Sequence, residues 1–383
     1  MNVINIPTTI ITEDKNNKQL LEIIRCLNSK KVFIITGINF LKRSNFVSLI
    51  TDNFNKCNIE SYLFNKVKSE PESDFIDKAV DIFINTGCDC ILCIGGGSVI
   101  DVAKYVAMMA TNGGKCTDYE QGKSIKNLSV PVIAMPTTAG TGSEVTQYSV
   151  INNSETGRKF TIGHKNLYPR YAIINPQLTI TMPKEITIAT ALDAWIHSLE
   201  GVLSNDGNRI INVLAFECIN IISKDLPKVI CDESNIQLRE NISMAALMGG
   251  MVISQVRTGL IHTMSVALAK FVDLPHGTLN AIITPYVLDF NKNYYNENLI
   301  KVAKAMGYNE EDKNSIIKHI SDWLYDLNIP KGLKKYNLNE DIIEKLVERV
   351  KQDKGLTNVN PRKIEDEDLR KIFLKILKND IGE

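Results

Sequence analysis

Neither sign of charge is in excess in this chain of 383 residues: 44 lysines and arginines meet 44 aspartates and glutamates. Without a basic surplus there is no electrostatic footprint for nucleic acid or an anionic membrane surface, and the expected partner is a small molecule. No apolar run approaches the roughly 20 residues that cross a bilayer. The N-terminus, MNVINIPTTIITEDKNN, lacks the basic start and apolar core of a secretion signal, so a cytoplasmic enzyme is expected. A regular cysteine framework is also missing. The eight cysteines are scattered at positions 26, 57, 88, 90, 93, 116, 218 and 231, which argues against a disulfide scaffold and predicts free thiols. Histidine is scarce, with five in the whole chain, so any grouping of them is informative.

What is present is apolar surface, 44% of the residues, enough for two cores in a chain of this length. In the first half, β-branched runs such as KKVFIITG, CNIESYLF, CDCILCIGGGS and VPVIAMPTT alternate with helical stretches, and TIGHKNLYPRYAIINP carries the last strand-like segment. That alternation predicts βαβ units around a parallel sheet, a Rossmann-like dinucleotide-binding α/β domain over 1–180. Beyond TMPKEITIATALDAWIHSLEG the apolar residues recur at helical spacing, so 181–383 is expected to be an all-α metal and substrate domain. Cys88, Cys90 and Cys93 have a spacing that invites a metal reading. They lie, however, in an apolar strand, where Cys88 and Cys90 are expected on one face and Cys93 on the other.

Two loops in the first half suit a nucleotide. Gly95, Gly96, Gly97 and Ser98 follow one strand and open a helix, where glycine lets backbone approach a phosphate and unpaired N–H groups attract it. Alone, this is equally a plain strand-to-helix turn. The segment Pro136–Glu144, PTTAGTGSE, adds hydroxyls and glycines after the next strand, and a pair of such loops at the C-terminal ends of parallel strands is a nucleotide site in open α/β sheets.

In the second half, Asp193 and His197 stand at i and i+4 on one helical stretch and so share a face. His262 opens another apolar helix, and His276 follows Pro275 at a turn. Three imidazoles and one carboxylate suit a divalent first-row ion such as Fe(II) or Zn(II), with room left for a substrate oxygen. Each histidine taken alone has a competing reading as a hydrogen-bonded interior residue, which is kept for His164 and His319. Spacing by itself leaves both readings of the quartet open.

The segments GGGSVID (95–101), MPTTAGTGSEVT (135–146), NPQLT (175–179), DAWIHSLEG (193–201), HTMSVALAKFVDLPHG (262–277) and NPR (360–362) together resemble the iron-containing, or group III, alcohol dehydrogenases. The likeness runs in order over essentially the whole chain. It implies a metal bound by Asp193, His197, His262 and His276, and dinucleotide contacts at Gly96, Gly97, Ser98, Thr137, Thr138, Thr146, Lys159 and Leu178, with Lys159 near both cofactor and metal. It implies a homodimer, and reversible NAD(P)H-linked reduction of a small aldehyde to a primary alcohol.

Three departures from the family pattern bear on specificity and proton transfer. NAD-preferring members often carry an aspartate after the first long strand, where it meets the adenosine ribose; here Gly37 stands there, followed by Lys42, Arg43 and Ser44, and NADP(H) is the expected preference over NAD(H). Where many members have a further histidine four residues after the third ligand, this chain has Val266, so no relay runs through that side chain. Arg257 and Thr258 also stand where many relatives have small or apolar residues, with Tyr148 as a further candidate substrate contact. Two readings of Arg257 stay open: recognition of an anionic substrate tail, as in phosphonoacetaldehyde or sulfoacetaldehyde, or an internal salt bridge with Glu200 or another acid. A general dehydrogenase of neutral short-chain alcohols or diols is the alternative function. A dehydroquinate-synthase-like lyase is more remote, because the D-x-x-x-H pair argues against it.

Overall fold

The run Cys90–Gly95 is buried along its whole length, as the middle strand of a parallel sheet must be when helices cover both faces. In the computed structural model, which describes residues 4–380 except 13, 15, 16 and 354, this run is the fourth of eight strands. The strands are β1 (Thr9–Ile11), β2 (Lys31–Gly37), β3 (Glu60–Val67), β4 (Cys90–Gly95), β5 (Val132–Pro136), β6 (Tyr148–Asn152), β7 (Lys159–Gly163) and β8 (Tyr171–Ile173). Six form one sheet in the order β1-β8-β5-β4-β2-β3, every pairing parallel, and β6 and β7 form a separate antiparallel pair. The helices between them are α1 (Lys18–Cys26), α2 (Ile38–Arg43), α3 (Phe46–Lys56), α4 (Ser73–Thr86), α5 (Gly97–Asn112) and α6 (Cys116–Glu120).

Alternation along the strands sorts the apolar residues onto two faces. Phe33, Ile35, Ile91, Cys93 and Ala134 pack with residues of α4 and α5, whereas Val32, Ile34, Cys90, Leu92 and Met135 pack with residues of α1 and α3. Cys90 and Cys93 thus face opposite ways. Cys88 joins the face of Cys93, not that of Cys90 as strand alternation predicted, because the strand begins only at Cys90. All eight cysteines are free thiols.

Two features were not read from the sequence. β1 has three residues and no distinctive pattern. The β6–β7 hairpin is half-buried and polar, yet its turn does carry a signal: Asn153 Oδ1 accepts from the N–H groups of Glu155 and Thr156, and Gly157 has φ of +63°.

The chain divides into two compact units, Asn5–Met182 and a second one from Pro183 onward. The second unit consists of α7 (Lys184–Leu203), α8 (Arg209–Val229), α9 (Ile236–Gln255), α10 (Leu260–Leu268), α11 (His276–Asn291), α12 (Asn298–Ala305), α13 (Lys313–Asp326), α14 (Ile343–Lys351), α15 (Leu356–Val359) and α16 (Asp366–Lys378), with short 3-10 turns. Among the described residues, no single helix is long and apolar enough to cross a membrane. α7 is buried on nearly every side from Thr187 to Leu203, the mark of a central core helix. Its Trp195 stacks at 5.1 Å on Trp323 and donates to Ser223 Oγ at 3.0 Å.

Close approach brings the start of α11 onto α7. A Cβ on Gly277 would lie 1.8 Å from the carbonyl oxygen of Ala189 and 3.1 Å from Asp193 Cβ, so only glycine fits. Gly277→Ala therefore forces α11 away from α7. Overpacking of this kind costs about 1–3 kcal/mol, and we expect a lower Tm in thermal unfolding followed by circular dichroism; a wild-type Tm would show that the two helices separate without cost.

Candidate active site

Asp193 is the hub of the helical unit's polar interior. Its Oδ1 lies 3.7 Å from His197 Nε2, 3.5 Å from His262 Nε2 and 3.8 Å from His276 Nε2. The ligand atoms of Asp193, His262 and His276 all fall within 4.8 Å of one another. His197 reaches the group from the next turn of α7, with its ring stacked on that of His262 at a centroid distance of 4.7 Å. The four residues expected to converge from three helices do converge. Asp193, His197 and His262 are buried, and His276 is exposed on one side.

The surroundings orient the donors toward one point. His262 Nδ1 faces Glu200 Oε2 at 2.6 Å, so the carboxylate orients the ring with Nε2 toward Asp193. Buried His262 Nε2 has no hydrogen-bond partner among the described residues, and neither has His197 Nδ1. An orphaned imidazole nitrogen beside a buried carboxylate fits a divalent cation, which matches the donor set. Ser265 Oγ stands 3.2 Å from His276 Nδ1 and orients the third ring, while Asn280 Nδ2 donates to Asp193 Oδ1 at 2.9 Å.

Electrostatics follow the same geometry. Burial alone would raise the Asp193 pKa, but the surrounding histidines hold it below the usual carboxylate range. Burial pushes His197 down to about 4. Burial also acts to lower His262, yet the carboxylates of Glu200 and Asp193 outweigh it and push this ring up to about 9.

Glu200, Ser265 and Asn280 were not identified as site residues from sequence. For Glu200 the signal was present: on α7, whose other buried positions are mostly apolar and carry no charge, Asp193, His197 and Glu200 recur at i, i+4 and i+7. Of the acids expected as partners for Arg257, Glu200 or another, the structure brings up another. Glu200 accepts from the backbone N–H groups of Gly259 and Ile261 at 2.9 and 2.7 Å as well as facing His262, which leaves it no free lone pair in that direction. Arg257 pairs instead with Asp353, which also accepts from Thr263 Oγ1 at 3.0 Å. Half of the Arg257 side chain remains exposed, and Thr258 beside it is half-buried.

In the α/β unit the two glycine loops meet. Thr137 N–H donates to the Gly95 carbonyl at 3.0 Å, and a Cβ added to Gly96 or Gly97 would run into the side chains of Thr138 at 3.1 Å and Thr141 at 2.8 Å respectively. Gly96, Gly97 and Ser98 thus lie beside Thr137 and Thr138 at the ends of β4 and β5. Other expected cofactor contacts are differently engaged. Leu178 is buried in the sheet's apolar core, Thr146 accepts from Lys104 at 3.1 Å, and Lys159 Nζ bonds Glu70 at 2.8 Å on the surface. Tyr148 is half-buried, its ring against Gly163 and its carbonyl on Lys104. Gly37 ends β2 and caps α2, which carries exposed Lys42 and Arg43.

Comparison with known proteins agrees with this arrangement. Residues 7–176 match the family described as iron-containing alcohol dehydrogenase, and residues 187–377 match the C-terminal part of the Fe-containing alcohol dehydrogenase family. Among curated relatives, the NAD-dependent methanol dehydrogenase of Bacillus methanolicus is 29% identical over 92% of this chain and 94% of its own length. The 1,3-propanediol dehydrogenase of Klebsiella pneumoniae is 31% identical over 91% and 92%. Among solved structures, sulfoacetaldehyde reductase from Bifidobacterium kashiwanohense in complex with NAD+ superposes with a TM-score of 0.91 at 27% identity, covering 98% of this chain and 99% of that one.

The Glu200 geometry yields a test. Glu200→Gln keeps the shape but leaves His262 Nδ1 facing a neutral amide; partners of this kind sustain about 10–100-fold in metal affinity. We expect a loss of that size in Fe(II) or Zn(II) affinity measured by chelator competition. Unchanged affinity would show that His262 needs no carboxylate behind it.

Proposed function

The chain belongs to the iron-containing alcohol dehydrogenase family, and from that premise we propose that it reversibly reduces a small aldehyde to the primary alcohol, with Asp193, His197, His262 and His276 holding a divalent ion. It is an NAD(P)-linked alcohol dehydrogenase or aldehyde reductase by family. The observation that carries the reading of the site is the convergence of three imidazoles on one buried carboxylate, with His262 Nε2 left without a hydrogen bond.

When bound, the ion supplies Lewis acidity at the substrate oxygen and the dinucleotide supplies or takes the hydride. The protein's own part is to hold these ligands rigidly: Glu200, Ser265 and Asn280 each fix one of the four side chains, so little reorganisation is left for the reacting state. The exposed side of His276 is where the quartet is open to a substrate. No protein nucleophile is required. Val266, exposed one turn beyond His262, moves no proton, so water or the cofactor ribose carries it.

Iron is the metal we propose, with zinc as the alternative the same donors accept. For the dinucleotide we propose a preference for NADP(H), in contrast to the NAD-linked relatives above. Gly37 offers no carboxylate to repel a 2′-phosphate, and Lys42 and Arg43 are exposed on the helix that follows. A Cβ at Gly37 would meet only ordinary contacts, at 3.5 Å from Val67 O and 3.6 Å from Val99 Cγ2, so an aspartate is accommodated there. Gly37→Asp is expected to raise KM for NADPH about tenfold or more through charge repulsion while leaving NADH nearly unaffected. Steady-state kinetics with both dinucleotides test this, and parallel changes would end the NADP(H) reading.

A second reading concerns the substrate's tail. The half-exposed guanidinium of Arg257 and the resemblance to a sulfoacetaldehyde reductase favour an anionic aldehyde such as sulfoacetaldehyde or phosphonoacetaldehyde. Asp353 competes for the same guanidinium and favours neutral substrates. A panel pairing neutral with phosphonate, sulfonate and carboxylate aldehydes, run on metal-reconstituted wild type and Arg257→Ala, separates them. A KM rise of about tenfold confined to acidic aldehydes would assign the tail to Arg257, whereas equal effects on both classes would leave Arg257 as the structural partner of Asp353.

A further inference from the structure

Lys104, on α5, has none of its side chain exposed. A buried ammonium is tolerated only when its donors are satisfied and its charge is met. All three protons have acceptors: Ser143 Oγ at 2.7 Å, Thr146 Oγ1 at 3.1 Å and the Tyr148 carbonyl at 2.8 Å. Ser143 in turn donates its hydroxyl proton to Asp101 Oδ1 at 2.5 Å, and Asp101 Oδ2 accepts from Val150 N–H at 3.0 Å. The charged and titratable groups facing the ammonium are Asp101 on the same helix, Glu144 beside Ser143, and Cys93 on β4. Burial lowers the lysine to about 8, against the pull of Asp101 and Glu144.

The acceptors do not lie on one element. Ser143 and Thr146 end the loop that follows β5, Tyr148 opens β6, and Asp101 and Lys104 lie on the helix that starts at Gly97. We propose that Lys104 is a positioning residue for the dinucleotide: it ties the end of the second glycine loop to the helix that begins at the first, and so holds Thr138 and Thr141 against Gly96 and Gly97. This rests on the reading of those loops as the dinucleotide site. An apolar side chain of equal length fills the same space without directing Ser143 and Thr146, so the loop keeps its burial and loses its orientation.

The test is Lys104→Met, with dinucleotide binding followed by the fluorescence of NADPH and NADH and with metal content measured on the same sample. The dissociation constant should rise about tenfold or more because three buried acceptors lose their donor. Bound metal should stay at the wild-type level, and the kinetic loss should fall on KM for the dinucleotide and not on kcat at saturation. If Lys104→Met does not fold, Thr146→Val removes one acceptor at constant shape and should weaken binding in the same direction. Wild-type dissociation constants in either folded variant would overturn the proposal. Failure of the wild-type protein itself to bind either dinucleotide would overturn the reading it rests on.

Discussion

A carboxylate buried in a helix that is apolar on nearly every side sets the terms for the helical unit. Asp193 is shielded from solvent, and an uncompensated buried charge would destabilise the fold by several kcal/mol, on the order of the whole stability of a domain. Compensation comes from His197 on the same helix and from two other helices: His262 from α10, His276 and Asn280 from α11. The same convergence that makes Asp193 tolerable gathers the donors of the proposed cation site. Gly277 belongs to this constraint, since the turn that delivers His276 can reach α7 only where no Cβ intervenes.

The α/β unit solves a similar problem with the opposite sign. Lys104 is buried, met by Asp101 and Glu144, and saturated by hydroxyl and carbonyl oxygens from the loop and hairpin beside it. In both units a buried ionic group draws several chain segments into one arrangement, which apolar packing alone would specify less sharply. The difference lies in saturation. Lys104 has every donor used, whereas His262 Nε2 has no partner among the described residues, and that contrast separates an internal strut from a site built for an added ligand.

Much of this architecture was legible in the sequence because it rests on local periodicity. Alternating β-branched runs and helical stretches marked the parallel sheet, the glycine turns after β4 and β5 marked the loops, and Asp193 and His197 shared a helix face by simple spacing. Three of the five histidines and one aspartate, set in motifs that resemble a known family, carried the ligand set further than spacing could. The half-buried hairpin of β6 and β7 escaped this reading, because only Ser149, Ile151 and Phe160 of its strands are buried and no apolar run marks it.

What only the tertiary structure decided is who meets whom. Arg257 could pair with Glu200 or another acid as far as the chain tells; the fold gives Glu200 to His262 and two backbone amides, and gives Arg257 to Asp353, 96 residues away in sequence. Cys88 took the face of Cys93 because the strand starts two residues later than its composition suggests. Nothing in the local sequence singles out Lys104, which the second loop buries and saturates. The sequence by itself determined the fold class, which follows from patterns a few residues long, and its resemblance to a known family named the residue types gathered around Asp193. Pairings between charges depend on distances set by helices and loops far apart in the chain, and no local pattern encodes them.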